Sequence, residues 1–441
     1  MKRSIERDLQ LWKDDSRRKP LLLRGARQVG KTFIIEKFSR QFSSFVEVNF
    51  EKRPDLLACF QSLEPKKILR SIEIAMNCSI IPGETLLFLD EIQECPKAIM
   101  AFRYFKEELP SLHLVGAGSL LEFVLNDTEF RMPVGRVQFL YLSPLSFFEF
   151  LDASGHEKLR QYLQTVDLAH PVEEVFHEQL LSLVRQYMVL GGMPAVLDDY
   201  FATESYQHCQ GVQTDLLATY RGDFGKYAKT AHHKYLQLLF QRAPGLITQW
   251  FKYSKVDPDI PSRELKRALS QLCDAGLLHL VYASSAQGVP LISTVNEKKF
   301  KILFLDIGLV HRAMRMSIDA LMQEDLLLVN RGAMAEQFVG QQLLTVLNPR
   351  EKGRLYFWVR EAKSSSSEVD YVMNIDSRIV PIEVKAGATG RLRSLHRFLD
   401  EKGIDFGVRV SQAPLSLEKN ILSVPFYLIE ELPRLVRQPY Q

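Results

Sequence analysis

Eight residues near the start of the chain, Gly25-Ala26-Arg27-Gln28-Val29-Gly30-Lys31-Thr32, fit the spacing GxxxxGK[ST]. That spacing suits phosphate. Backbone N–H groups of a curled loop converge on phosphate oxygens, and a following helix N-terminus adds its partial positive charge. Lys31 would reach the β- and γ-phosphates of ATP, and the Thr32 hydroxyl would bind Mg²⁺. A second pair, Asp90 and Glu91, ends the apolar run in ETLLFLDEIQ (84–93). Asp90 fits a Mg²⁺ ligand, direct or through water, and Glu91 a base that orients the attacking water; two acids there would equally suit a helix N-terminus. A third set, Asp370, Glu383 and Lys385, lies in EVDYVMNIDSRIVPIEVKAG (368–387).

The first two sets need a sheet that delivers them to one edge. PLLLRGARQVGKTFIIEKF (20–38) reads as buried strand, glycine turn and helix. Strands are expected at 45–51, 84–90 and 112–119, with a helix at 97–109 between them. This alternation predicts an α/β domain with a doubly wound parallel sheet over 1–150. Ser119, after Gly118 at a strand end, is placed to sense the γ-phosphate. Arg131 and Arg136 follow; either could touch that phosphate in its own chain or a neighbour's, Arg136 beside Gly135 being the better placed. A finger acting across subunits would imply a homo-oligomer.

The third set depends on strand alternation. Glu383 and Lys385 share one face of their strand, and Glu368 and Asp370 share one face of the partner. If the two faces coincide, carboxylates meet beside a lysine and suit Mg²⁺. If they do not, the segment is a hairpin whose acids face water.

At 441 residues the chain exceeds one compact core, and a net charge of +3 gives no global case for nucleic acid. Five cysteines without a CxxC pair read as reduced thiols. The charged start, MKRSIERDLQLWKDDSRRKP, lacks a signal-peptide core, and the apolar run at 137–151 is too short for a bilayer and contains Pro144 and Glu149. A cytoplasmic protein with no membrane contact is expected. Helical spacing over 151–229, broken at Gly191-Gly192-Met193-Pro194, predicts a lid or linker. Residues 230–312 read as a winged helix-turn-helix, with Ser262 capping the third helix. GVPLIST reads as part of a hairpin, and Arg263, Lys266 and Arg267 face DNA or solvent. A last unit spans 325–441.

RGARQVGKT, LLFLDEIQ, the strand ending GAGS, and VGRV…LSPLSFFEFL resemble the core of AAA-type ATPases. VLGGMPAVLDDY, TYRGDF, FKILFLDIGL and NRGAMAEQFVGQQL extend the resemblance over nearly the whole chain. The family is one of prokaryotic ATP-binding proteins with a C-terminal domain of undefined role. In TYRGDF, Gly222 separates Arg221 from the aspartate expected beside it. The order helix with Glu336, strand with Asp370, strand with Glu383-Val384-Lys385 resembles the PD-(D/E)xK restriction-endonuclease-like fold, although Val369 replaces the usual proline. That resemblance implies Asp370, Glu383 and Glu336 as metal ligands and Lys385 as the catalytic lysine. The expectation is an ATP- and Mg²⁺-dependent ATPase controlling a nuclease-like module that acts on DNA. The alternative is a nucleotide-dependent switch that holds DNA or a partner protein (a defence or toxin–antitoxin component) without cutting.

Overall fold

A computed structural model describes residues 1–119, 121–125, 135–227, 230–316, 332–360, 367–387 and 390–438. Arg131 and the expected start of the last unit at 325 lie outside them. Five strands form the first sheet: β1 (Leu21–Arg24), β2 (Ser44–Asn49), β3 (Thr85–Asp90), β4 (His113–Ala117) and β5 (Gln138–Tyr141). Their order is β2-β3-β4-β1-β5, and all pairs are parallel. Every residue of β3 is buried, because helices cover both faces of a parallel sheet. Parallel pairing brings Arg24, Asn49, Asp90 and Ala117 to one edge, the one that carries the chemistry.

The helices Glu174–Leu190, Pro194–Thr203 and Tyr206–Tyr227 form the layer expected after residue 151. The break between the first two is the Gly191-Gly192 turn. A side chain on Gly192 would collide with the backbone of Leu145, and one on Gly191 with the Asp306 carboxylate. Asp306 is fully buried, accepts from the Gly192 N–H at 2.6 Å, and caps the helix Ile307–Ala313 through the Leu309 N–H.

The second sheet has eight strands in the order β12-β13-β11-β10-β9-β8-β6-β7. They are β6 (Leu278–Ser284), β7 (Val295–Phe304), β8 (Leu355–Val359), β9 (Glu368–Ile375), β10 (Arg378–Val384), β11 (Gly407–Ser411), β12 (Ser416–Glu418) and β13 (Ile421–Pro425). This corrects the expected domain limits. The β6–β7 hairpin does not stand alone as a wing, because β6 pairs in parallel with β8 and extends the C-terminal sheet. Two smaller corrections accompany it. Residues Leu291–Thr294 form a 3-10 turn rather than a strand, following Pro290, which has no N–H to donate. Pro261, not Ser262, occupies the N-cap of the helix Ser262–Asp274, so no side chain caps it. Gly276, past the end of that helix, lies against the phosphate loop, where an added side chain would sit 3.3 Å from the Ala26 nitrogen.

Candidate functional site: a phosphate loop and a lysine-filled acid cluster

The loop after β1 has the backbone that its glycines permit. Gly25 (φ 147°) passes so near the Leu142 carbonyl that a side chain would collide, and Gly30 (φ 96°) starts the helix Lys31–Ser39 in a left-handed conformation. Gln28 is also left-handed (φ 65°). Lys31 folds inward, only 8 % exposed, donating to the Gly25 and Ala26 carbonyls at 2.9 and 2.7 Å. Burial brings its pKa down to about 8, against the attraction of Glu91 and Asp90.

Thr32 donates to Asp90 at 3.2 Å, and Asn49 donates to the same Asp90 oxygen at 3.0 Å. Burial and then the charge of Glu91 raise the Asp90 pKa. A hydroxyl beside a buried carboxylate, at the mouth of a phosphate loop, fits a hard cation such as Mg²⁺. Glu91 is left-handed (φ 48°), and Gln93 donates to its carboxylate at 2.7 Å. Gly118 is bare where Gln93 passes, since a side chain there would collide with the Gln93 amide. Ser119 is buried beside it, on the wall of a cavity of about 330 Å³ shared with Gly25, Asp274, His279 and Lys352.

Arg136 stands elsewhere. It precedes β5, whose first residue Gln138 pairs with Leu21, so it sits at the edge opposite the loop, and it pairs with Glu107 at 3.0 Å. With the whole of β1 between them, on the order of 13 Å, the γ-phosphate site of its own chain is out of its reach.

The sequence reading also missed three supports. Tyr220 donates to the Arg27 carbonyl at 2.9 Å, and Asp223, one turn on, pairs with the Arg27 guanidinium. Arg3 donates to the Val29 carbonyl at 3.1 Å, to Ser143 at 2.6 Å and to Glu149 at 3.0 Å. In TYRGDF the residues that meet the loop are Tyr220 and Asp223, on either side of Arg221. Asn49 carried a weak signal, as a polar residue ending an alternating strand.

In the C-terminal sheet the two polar faces do coincide. The β9–β10 register pairs Tyr371 with Ile382, and the Val384 N–H donates to Asp370 at 2.8 Å. Lys385 lies 2.7 Å from Glu383. Yet the centre of the cluster is Lys301, from β7, a residue given no role in the sequence reading. Its ammonium contacts Glu368, reaches Glu336 at 3.3 Å and Asp370 at 3.9 Å, and its side chain is 3 % exposed. Burial alone would lower the Lys301 pKa, but the three acids hold it above the ordinary lysine value. Burial raises Glu336, Asp370 and Glu383, each through desolvation first. Among the described residues no group of three acids, histidines or cysteines is arranged to hold a metal. The cation that these donors surround is an amine, that of Lys301. The strand alternation reveals the acids, but nothing in KKFKILF distinguishes Lys301 from exposed Lys298 and half-buried Lys299 before the fold is known.

Family models match three parts of the chain. A family model described as an AAA domain matches residues 17–151. Two domains of unknown function match 181–320 (DUF8612) and 331–427 (DUF4143). No curated protein matches the chain. Among solved structures, a Walker-type ATPase of Pyrococcus abyssi is 15% identical, with 70% of this chain and 94% of that one covered at a TM-score of 0.45. The ORC1 protein of Aeropyrum pernix, solved in complex with DNA, is 12% identical over 73% and 95% of the two chains, with a TM-score of 0.31. A signal transduction ATPase with numerous domains from Pyrococcus horikoshii is 12% identical, covering 77% of this chain and 44% of its own, at 0.26. With its parallel sheet, phosphate loop and matching family model, the N-terminal third of the chain is an AAA-type P-loop domain.

Proposed function

We propose that the N-terminal domain binds and hydrolyses ATP with Mg²⁺. The observation that carries this reading is the Thr32–Asp90 pair at the mouth of a loop whose lysine is already turned inward. Thr32 and Asp90 would hold the metal, which would neutralise phosphate charge when bound. Lys31 exchanges two carbonyl partners for phosphate oxygens. Glu91, held by Gln93, orients and deprotonates the attacking water. Ser119 donates at the γ-phosphate. In Lys31→Ala, ADP and ATP binding measured by calorimetry should vanish; unchanged affinity would sink the assignment. Glu91→Gln should bind ATP as before while turnover falls about 100-fold or more.

For the rest of the molecule, the Lys301 cluster favours the switch over the nuclease. The domain that ends in β13 is proposed to hold DNA or a protein under nucleotide control, with no cleavage. Arg263 and Lys266, exposed on the helix Ser262–Asp274, offer phosphates a positive face. Plasmid incubated with Mg²⁺ or Mn²⁺ should stay intact with or without ATP. Nicking that disappears in Lys385→Ala would restore the nuclease reading.

A further inference from the structure

Two carbonyls of the phosphate loop are gripped from outside by groups far away in sequence. Tyr220, fully buried in the helix Tyr206–Tyr227, holds the Arg27 oxygen. Arg3, 6 % exposed, holds the Val29 oxygen. A trans peptide is planar, with its C=O and N–H pointing in opposite directions. Fixing the Arg27 oxygen therefore fixes the Gln28 N–H, and fixing the Val29 oxygen fixes the Gly30 N–H. Both are turned to the side away from Tyr220 and Arg3. Gln28 and Gly30, which supply these two N–H groups, are both left-handed, as loops that gather N–H groups around an anion require at some positions.

Each grip is itself braced. Asp223 lies on the same helix face as Tyr220, three residues on, and its ion pair with Arg27 keeps that side chain turned toward the helix. Arg3 is fixed by Glu149, whose carboxylate also accepts from the Ser4 N–H and hydroxyl at 2.6 Å. The loop's peptide planes are thus held by groups that lie outside it, and holding a loop in its binding shape lowers the ordering cost of binding.

We infer that Tyr220 and Arg3 are positioning residues for polyphosphate binding, which act by fixing the Arg27 and Val29 peptide planes. The inference rests on reading the loop as a nucleotide site. It makes the helical layer a part of the ATP site, so that a shift of the helix Tyr206–Tyr227 would loosen phosphate binding.

The test uses the full chain and calorimetric titration with ADP. Tyr220→Phe removes one hydroxyl from a packed ring, and should weaken ADP about three- to tenfold, the worth of one hydrogen bond. Arg3→Lys keeps the charge facing Glu149, but one compact ammonium cannot span acceptors that three separate guanidinium nitrogens reach, so the change should weaken ADP by a similar factor. Leu217→Ala, a buried neighbour on the same helix, is the control for destabilisation: its melting temperature should fall while its ADP affinity stays native. If Tyr220→Phe binds ADP as the native chain does, the inference is overturned. The same holds if Leu217→Ala weakens ADP as much. A native chain that binds no ADP, and so equals Lys31→Ala, would instead overturn the nucleotide reading itself.

Discussion

Lys301 shows how one side chain changes the meaning of three others. Three carboxylates gathered where a helix meets a sheet, Glu336, Glu368 and Asp370, would repel one another in a medium of low dielectric. An ammonium among them makes the charged arrangement stable, and it does so from the chain itself. Lys301→Met would leave the half-buried Glu336, Glu368 and Asp370 without their cation. We expect unfolding by urea at pH 7.5 to show a loss of about 3–5 kcal/mol, the usual cost of removing one partner from a buried charge cluster. The loss should shrink toward pH 5, where Glu336 and Asp370, both raised by burial, can take up protons. A variant as stable as the native chain at both pH values would show that the cluster is not held by this lysine.

At the scale of elements, the helix Ala333–Val346 is the bolt of the structure. It uses glutamines where a buried helix would ordinarily carry aliphatic groups. Gln337 pairs with both the N–H and the carbonyl of Phe304 at 2.9 Å, Gln341 accepts from Ile307 and donates to Asp306, and Gln342 accepts from Phe147. Each amide satisfies backbone groups where strands and helices end, which apolar side chains could not do. Gly192→Ala would press a methyl into the Leu145 backbone at the same seam. A loss of several kcal/mol is expected from such overpacking, roughly 1–3 kcal/mol or more, read as a lower urea midpoint. Here the sequence was partly legible. The phosphate loop, the acids at the end of β3 and the β9–β10 alternation could be read because each is local: a spacing, a run, a period of two. The contacts that complete them were not, because Lys301 to Asp370, Tyr220 to Arg27 and Arg3 to Val29 join positions that only the tertiary fold brings together. The edge that Arg136 occupies was illegible for the same reason: its neighbourhood in sequence does not say which end of the sheet it stands at.

For the whole molecule, buried ionisable groups set a pH optimum. Burial lifts Glu430 to about 8 and Asp306 to about 6, so the folded chain keeps protons that the unfolded chain has lost. Between their ordinary values and these raised ones, stability falls as pH rises. Burial lowers His113, His279 and His311 to about 4, so there the unfolded chain binds more protons and stability is lost as pH falls below 6.5. Above 6.5 the histidines are neutral in both states and Glu430 acts alone among these groups. The melting temperature should therefore decline from about pH 6.5 to 8, and more steeply in the native chain than in Glu430→Gln. Identical slopes would rule Glu430 out. The shared sheet has a practical meaning as well. The two domains of unknown function are divided between residues 320 and 331, yet β6 on one side of that line is hydrogen-bonded to β8 on the other. Scissors applied at the family boundary would cut through a folding unit. Each piece would carry a raw strand edge seeking a partner, so fragments made separately should clump, whereas the same fragments produced together could find each other and stay in solution.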